Sequence, residues 1–305
     1  MDGQAEKEKA YEHWLLQAAG TGGRGFLRLL RKERSARQIY EEVQAGTLKE
    51  RLPERYQKKA EKLERFYPDY DIEAAYKRLL QRGIKLVVEG EGKYPERLQK
   101  IPDPPYGLYY AGKLPDKEKR AVAIVGAREC SEYGRYMAKC FSTALAQAGI
   151  AVISGMARGI DGISQQAALQ ADGYSLAVFG CGVDVCYPAE HRNLYDSLIE
   201  KGGVCSEYLP GTEPRAMLFP PRNRIISGLA DVILVIEARE KSGTLITVDM
   251  ALEQGKEVYA LPGRATDPLS RGCNRLIKQG AGLVETPEEL TTGAGIPGRN
   301  PAAAV

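Results

Sequence analysis

The chain has 305 residues, enough for two domains, one of them with a full hydrophobic core. Its 43% hydrophobic and 27% charged residues are ordinary for a globular protein; the charged N-terminus excludes a secretory signal, and no apolar run approaches the ~18 residues of a membrane helix. Residues 1–120 carry 26 Lys and Arg against 20 Asp and Glu, and the remainder carries 17 against 20, so bulk charge permits a nucleic-acid partner without arguing for one.

The first 83 residues are predicted to form a small helical domain of the SAM or helix-hairpin-helix kind. Apolar spacing predicts helices over 11–19, 36–45 and 72–81. A glycine-rich turn at 21–25 opens a further helix, and the backbone N–H groups of such a turn can bind a phosphate. A plain structural turn is the alternative.

Residues 84–120 are interpreted as a connector that leads into the next domain. A short strand is predicted over 84–88, and closely spaced prolines exclude long helices beyond it. These prolines are Pro95, Pro102, Pro104 and Pro105.

From residue 121 onward, apolar runs alternate with helical segments. Strands are predicted at 121–126, 150–154, 174–180, 203–206, 232–236 and 257–261. Helices are predicted at 134–148, 160–171, 191–201, 222–230, 244–254 and 270–279. Because apolar strands separated by helices form a parallel sheet covered on both faces, residues 121–290 are predicted to be a doubly wound, mostly parallel Rossmann-like α/β domain. Residues 291–305 are predicted to be a disordered tail.

The first predicted strand leads into a candidate ligand-binding loop. Ligands of an open parallel sheet bind beyond the carboxyl ends of its strands. Gly126 would let the backbone approach a ligand, the following helix N-terminus would offer N–H donors, and Arg128 would grip a phosphate with two hydrogen bonds. A surface ion pair is the alternative for Arg128.

The second strand ends in a similar glycine-rich turn, SGMARGID at 154–161, with Asp161 in the first turn of the next helix. Ligand contact and simple helix capping fit this turn equally well. No GxGxxG pattern occurs and no acidic residue ends the second strand, so a dinucleotide is not expected and no cofactor is predicted.

Two further loops favour an unpaired nucleic-acid strand. Phe219 would provide a stacking surface beside Arg222 and Arg224, although a core position is the alternative for the ring. One of these arginines is expected to pair internally with an acid such as Glu207 or Glu237, and the other to face the ligand. The last loop would offer positive charge, hydroxyl groups and amides to a phosphate through Lys241, Ser242, Gly243 and Thr244.

No catalytic or metal-binding motif accompanies these loops. The GxSxG, Walker and HExxH patterns are absent, and the two histidines are too few for a histidine-rich zinc site. The acids at the predicted strand ends are therefore interpreted as helix caps or ion-pair partners rather than catalysts: Asp161, Asp184, Glu207 and Glu237. The six cysteines form no CxxC pair and are interpreted as reduced thiols of a cytoplasmic protein.

Taken together, the motifs resemble the DNA-processing protein A family (DprA/Smf). The resemblance rests on VGAR at 125–128, SGMARGID at 154–161, AVFGCGVDVCYP at 177–188, SEY at 206–208, FPPRNRIISGLADVILVIEA at 219–238, SGTLIT at 242–247 and ALPG at 260–263. The stretch YPERLQKIPDPPYGLYYAG at 94–112 resembles the family's lead-in to its Rossmann-like domain.

This resemblance implies a homodimer that binds and protects single-stranded DNA and helps load the RecA recombinase during natural transformation or homologous recombination. It places Gly126 and Arg128 in the DNA pocket, with residues 215–224 adding basic and aromatic contacts. Arg215 stands where many members carry a lysine, so the charge is kept. The winged-helix domain that ends many members has no counterpart before Val305.

Two alternatives remain open. The phosphoribohydrolases of the lysine-decarboxylase-like group carry PGGxGTxxE, but here the position of the catalytic glutamate is occupied by Thr247. The second alternative is a nonenzymatic sensor of a small nucleotide. Binding of oligonucleotides, rather than release of a free base or binding of mononucleotides alone, would select the DNA-binding interpretation.

Overall fold

A computed structural model describes residues 2–20, 24–66 and 71–292 of the chain. The first part of it is helical, with α1 Asp2–Ala19, α2 Arg24–Arg31, α3 Ala36–Gln44, α4 Glu54–Arg65 and α5 Ile72–Gln81. Residues 21–23 of the predicted glycine-rich turn and residues 293–305 of the predicted tail lie outside the described residues. Across the described ranges, no helix has the length and apolar character needed to span a bilayer.

The remainder alternates strands and helices. In chain order the elements are β1 Lys85–Val88, α6 Glu96–Gln99, β2 Gly107–Gly112, β3 Ala121–Val125, α7 Glu132–Gln147, β4 Ala151–Ser154, α8 Ile160–Gln170, β5 Ser175–Val178, α9 Arg192–Lys201, β6 Gly203–Ser206, α10 Phe219–Leu229, β7 Val232–Val235, α11 Gly243–Glu253, β8 Glu257–Ala260, α12 Arg271–Lys278, β9 Gly282–Leu283 and α13 Glu288–Thr291.

The strands form one nine-stranded sheet in the order β1-β2-β6-β5-β4-β3-β7-β8-β9. The seven strands β6-β5-β4-β3-β7-β8-β9 are each parallel to their neighbours in this run. Strand β2 runs antiparallel to both β1 and β6. The chain builds outward from β3 in one direction through β4, β5 and β6, and then returns to β3 and builds in the other direction through β7. The crevice between the carboxyl ends of β3 and β7 is therefore the topological switch point, where such sheets bind ligands.

Alternate residues of β3 show that helices cover both faces of the sheet. Ala121, Ala123 and Val125 belong to an apolar cluster with α10, α11 and α12. Val122 and Ile124 belong to a cluster with α7 and α8 on the opposite face. The predicted doubly wound, mostly parallel α/β fold is confirmed.

The predicted strands and helices after residue 121 are all present, with ends displaced by a few residues. Helix α7 begins earlier than predicted because Ser131 caps it, accepting a hydrogen bond from the Gly134 amide at 3.1 Å. Helix α10 begins at Phe219 because Pro220 and Pro221 are tolerated in a first turn, where no N–H partner is needed.

Five elements were missed, three of them short: α6, β9 and α13. The other two are β2 and α4. Strand β2 lies in the segment interpreted as a connector and joins β1 to the parallel sheet. Four of its six residues are buried and none is exposed, so it lacks the alternation that marks a half-exposed strand. Helix α4 was missed because charged residues dominate it and only Ala60 and Leu63 are buried.

The N-terminal helices pack on the end of the sheet formed by β1 and β2. One apolar cluster joins Trp14 and Leu15 of α1 to Tyr109 of β2 and Phe179 after β5. A buried polar network crosses the same boundary. Tyr106 donates a hydrogen bond to Glu12 at 2.5 Å and accepts one from Arg31 at 2.7 Å, and Arg31 pairs with Glu12 at 2.9 Å.

His13 lies beside this network, and its ring Nδ1 is 2.9 Å from the hydroxyl of Tyr109. Burial lowers the pKa of His13 from 6.5 to about 4. Between these two pH values the unfolded chain binds a proton that the folded chain does not, so stability is lost as pH falls through that window.

We therefore expect the free energy of unfolding to fall by up to about 3 kcal/mol on acidification through this window, from the effect of His13 alone. Urea unfolding at pH 7 and pH 5 should show a smaller loss for His13→Gln than for the wild type. His191→Gln, which changes the chain's other histidine, is the matched control. An equal pH dependence in wild type and His13→Gln would contradict the assignment.

Candidate nucleic-acid interface

The loops that follow β3 and β7 meet at the switch point. The Thr244 hydroxyl, in the first turn of α11, donates a hydrogen bond to the Gly126 carbonyl at 3.1 Å. Gly126 has a packing reason to be glycine, because an added Cβ would lie 2.6 Å from the Ile160 side chain of α8. The sequence therefore placed Gly126 at the correct edge, but close helix packing accounts for its lack of a side chain.

The positive end of α7 at this crevice is occupied by a protein carboxylate. Glu237, which follows β7 and is 1% exposed, accepts hydrogen bonds from the Ser131 amide at 2.9 Å and from the Ser131 hydroxyl. A carboxylate at a helix N-terminus is stabilised by the helix dipole. The prediction that this helix offers unpaired donors to a ligand is wrong, because Glu237 fills the place that a phosphate would take.

The other three candidate acids are also engaged by the protein. Asp161 accepts a hydrogen bond from the Gly155 amide at 3.2 Å, and Asp184 binds Arg82. Glu207 pairs with Arg224. These contacts agree with the interpretation of the four acids as caps and ion-pair partners.

Arg222 is buried between two strand ends. It is 5% exposed, and its guanidinium donates hydrogen bonds to the Gly155 carbonyl at 3.2 Å and to the Val178 carbonyl. Burial raises the pKa of Asp161, and the positive charges of Arg222 and Arg128 oppose that rise. The two guanidinium groups and this carboxyl group therefore lie near one another at the carboxyl edge.

Arg224 is buried as well, at 6% exposure. It forms a bidentate pair with Glu207, with distances of 2.7 and 2.8 Å, and donates to the Asp103 carbonyl at 2.8 Å. The prediction that one arginine of this motif pairs internally while the other faces the ligand needs correction. Both guanidinium groups are directed into the protein, where each donates hydrogen bonds to carbonyl or carboxylate oxygens.

Arg128, by contrast, is exposed. It stands three residues after β3 on the wall of a polar cleft of about 410 Å³. Arg135, His191 and Asn193 line the same cleft. Among the residues that the structure describes, no carboxylate forms an ion pair with Arg128. The surface ion pair considered as an alternative for this side chain is therefore not observed there.

Phe219 lies partly exposed at the first position of α10, and the Arg222 guanidinium carbon is 5.8 Å from its ring centre. A second ring, Tyr187, is 42% exposed and lies 5.5 Å from Phe219 between centroids. Sequence reasoning missed Tyr187, although it follows β5 in one of the recognised motifs. Arg215 is exposed four residues before Phe219, so positive charge and aromatic surface occur together here.

The N-terminus of helix α11, across the crevice from α7, is open. Ser242 makes no side-chain capping bond, and no acidic residue stands in the first turn. Lys241 and Gly243 are exposed, and an added Cβ at Gly243 would have no atom within 4 Å. The Ser242 hydroxyl is shielded and has no hydrogen-bond partner within the described part of the chain. Gly243 thus lacks the packing reason that explains Gly126.

The Glu237 cap can be tested by its effect on stability. Glu237→Gln keeps the size of the side chain but removes the charge at the α7 N-terminus, so the free energy of unfolding should fall by about 1–3 kcal/mol. Glu240→Gln, at an exposed position of the same loop, should change it by less than about 0.5 kcal/mol. Chemical denaturation measures both. Equal effects would show that Glu237 does not cap the helix.

Comparison with known proteins places these features in a family. Residues 85–294 match the family described as DNA recombination-mediator protein A. The Smf protein of Escherichia coli (strain K12) is 44% identical over 225 residues, which cover 73% of this chain and 60% of that protein. The chain therefore spans about 60% of that relative's length.

Two solved structures are also similar. The X-ray structure of DNA processing protein A from Streptococcus pneumoniae has a TM-score of 0.77 and 32% identity, covering 93% of this chain and 97% of that one. The Helicobacter pylori protein, described for its single-stranded DNA binding mode, has a TM-score of 0.60 and 27% identity, covering 69% and 95%. The family match covers more than half of the chain and includes every loop of the switch point. The chain belongs to the DNA recombination-mediator protein A family, which confirms the resemblance seen in its motifs.

Proposed function

We propose that this chain binds and protects single-stranded DNA at the carboxyl edge of its sheet and helps load the RecA recombinase during natural transformation or homologous recombination. The observation that carries the proposal is the open N-terminus of α11 beside exposed Lys241, at the switch point where Gly243 has no packing reason to be glycine. Phosphates bind well at such a helix end.

The proposed DNA contacts differ in their chemistry. Arg128, Arg215 and Lys241 would neutralise phosphates from exposed positions. Phe219 would stack a base. Gly243 and Ser242 would bring backbone and hydroxyl donors to one phosphate, the latter after a small movement of its loop. Four residues would hold these loops in place without touching the DNA: Arg222, Arg224, Gly126 and Thr244.

The relatives support single-stranded DNA as the binding partner. The H. pylori protein is described by its binding of single-stranded DNA, and the family is named for recombination mediation. The resemblance also supports a homodimer, a RecA contact and a cytoplasmic location. We further infer binding without catalysis, since the candidate acids are engaged structurally and Thr247, in place of the phosphoribohydrolase glutamate, is buried.

Arg128→Ala should weaken binding of single-stranded DNA by about 1–3 kcal/mol, because a charged hydrogen bond to phosphate is lost. A salt-titrated binding curve with single-stranded and duplex DNA of equal length measures this. Arg275→Ala, at an exposed position of α12, is the control and should bind as the wild type does. Unchanged affinity of Arg128→Ala would remove this residue from the site.

Gly243→Ala separates folding from binding. The added methyl meets no protein atom and alanine favours helix, so the free energy of unfolding should stay equal or rise by up to about 1 kcal/mol. Binding of single-stranded DNA should weaken, because the methyl stands where the phosphate would approach. Thermal unfolding and DNA titration of the same preparation give both values. Undiminished DNA binding would move the phosphate site away from α11.

A further inference from the structure

The positive and negative side chains of helix α4 lie on separate flanks of the helix. At 100° per residue, its five cations fall within an arc of about 120°. Its three acids fall on the neighbouring arc, and its buried residues face the other way. The five cations are all exposed and are called here the α4 cationic stripe: Arg55, Lys58, Lys59, Lys62 and Arg65.

The α4 cationic stripe keeps an excess of positive charge among the described residues. No ion pair to any of its members occurs in residues 2–20, 24–66 or 71–292, and Glu61 of the same helix binds Lys49 instead. Cations elsewhere in the helical region do have carboxylate partners, as Arg28, Arg31 and Arg37 show. Like charges three and four residues apart destabilise a helix, so an external polyanion would relieve this repulsion.

The stripe belongs to a helix that packs on α2. The rings of Phe26 in α2 and Tyr56 in α4 are stacked, with centroids 5.6 Å apart. Lys59 lies 5.7 Å from the Phe26 ring centre, and Arg55 lies 4.9 Å from that of Tyr56. These contacts fix the orientation of α4 against α2.

Helix α2 is in turn fixed to the carboxyl edge of the sheet. Arg28 pairs with Glu89, which directly follows β1, and donates to the Pro104 carbonyl at 3.0 Å. The adjacent residue, Asp103, contacts Arg224 of α10. The stripe is thus connected through α2 to the same edge that carries Phe219.

We infer that the α4 cationic stripe binds the phosphate backbone of the single strand held at the carboxyl edge. This inference rests on the proposed function and extends its surface to the N-terminal helices. Exposed lysines and arginines that contact phosphates recognise charge rather than base identity, so the contact would be independent of DNA sequence.

The test compares two matched double variants of the full chain. Lys62→Gln/Arg65→Gln removes two charges from the last turn of α4, and Arg275→Gln/Lys278→Gln removes two from the last turn of α12, at the opposite end of the sheet. Each is titrated over a range of salt with a strand of about 6 nucleotides, short enough for the carboxyl edge alone, and with one of about 40.

The α4 variant should bind the longer strand with a salt slope lower by about 1.4, which corresponds to a loss of at most about 25-fold at 0.1 M salt. Its binding of the short strand, and both titrations of the α12 variant, should match the wild type. Thermal unfolding should show that α4 remains folded, since glutamine is a good helix former.

Three outcomes would overturn the inference. The α4 and α12 variants could lose the same affinity for DNA, which would show that only the net charge of the protein affects binding. The α4 variant could retain full DNA affinity but lose binding to vesicles of anionic lipid, which would assign the stripe to a membrane surface. Wild-type protein that binds neither strand would refute the proposed function itself, a result distinct from loss on the long strand alone.

Discussion

The carboxyl edge depends on the burial of one guanidinium group, that of Arg222. A buried charge is tolerated only when its donors are satisfied, and Arg222 meets this condition by binding carbonyls at Gly155 and Val178, beside Asp161. The side chain therefore joins the ends of β4 and β5 to α10. Since Phe219 lies one turn before it on the same helix, the arginine also sets the position of the aromatic surface.

A second internal charge explains why a Rossmann-like sheet need not bind a dinucleotide. In dinucleotide-binding folds the first helix after the switch point receives a pyrophosphate at its N-terminus. Here Glu237 supplies the negative charge to that helix, so the position is already neutralised. The helix on the other side of the crevice, α11, keeps its N-terminus open. An anionic ligand would therefore lie near Lys241, along the exposed part of the carboxyl edge. That position suits an extended DNA strand better than an enclosed cofactor.

The N-terminal helices are part of the same surface rather than a separate appendage. An apolar cluster and the network of Glu12, Arg31 and Tyr106 join them to the sheet across its β2 end. Their contacts near Asp103 reach the base of α10. Charge near the sheet thus includes buried groups that pair with one another and position the loops, as well as exposed cations that remain available to a polyanion.

The sequence by itself determined the doubly wound sheet, because apolar strands alternating with helices can be buried in few other ways, and it placed the candidate loops at the carboxyl edge. It did not determine the strand order, which brings the loops after β3 and β7 together at the switch point. It did not determine the direction of individual side chains. Arg222 and Arg128 look equally suited to phosphate in the sequence, yet one is buried and the other exposed. Strand β2 and helix α4 also emerged only in the structure, because β2 lacks an alternating apolar pattern and charged residues dominate α4. Burial and pairing are properties of the packed molecule, and local pattern carries no record of them.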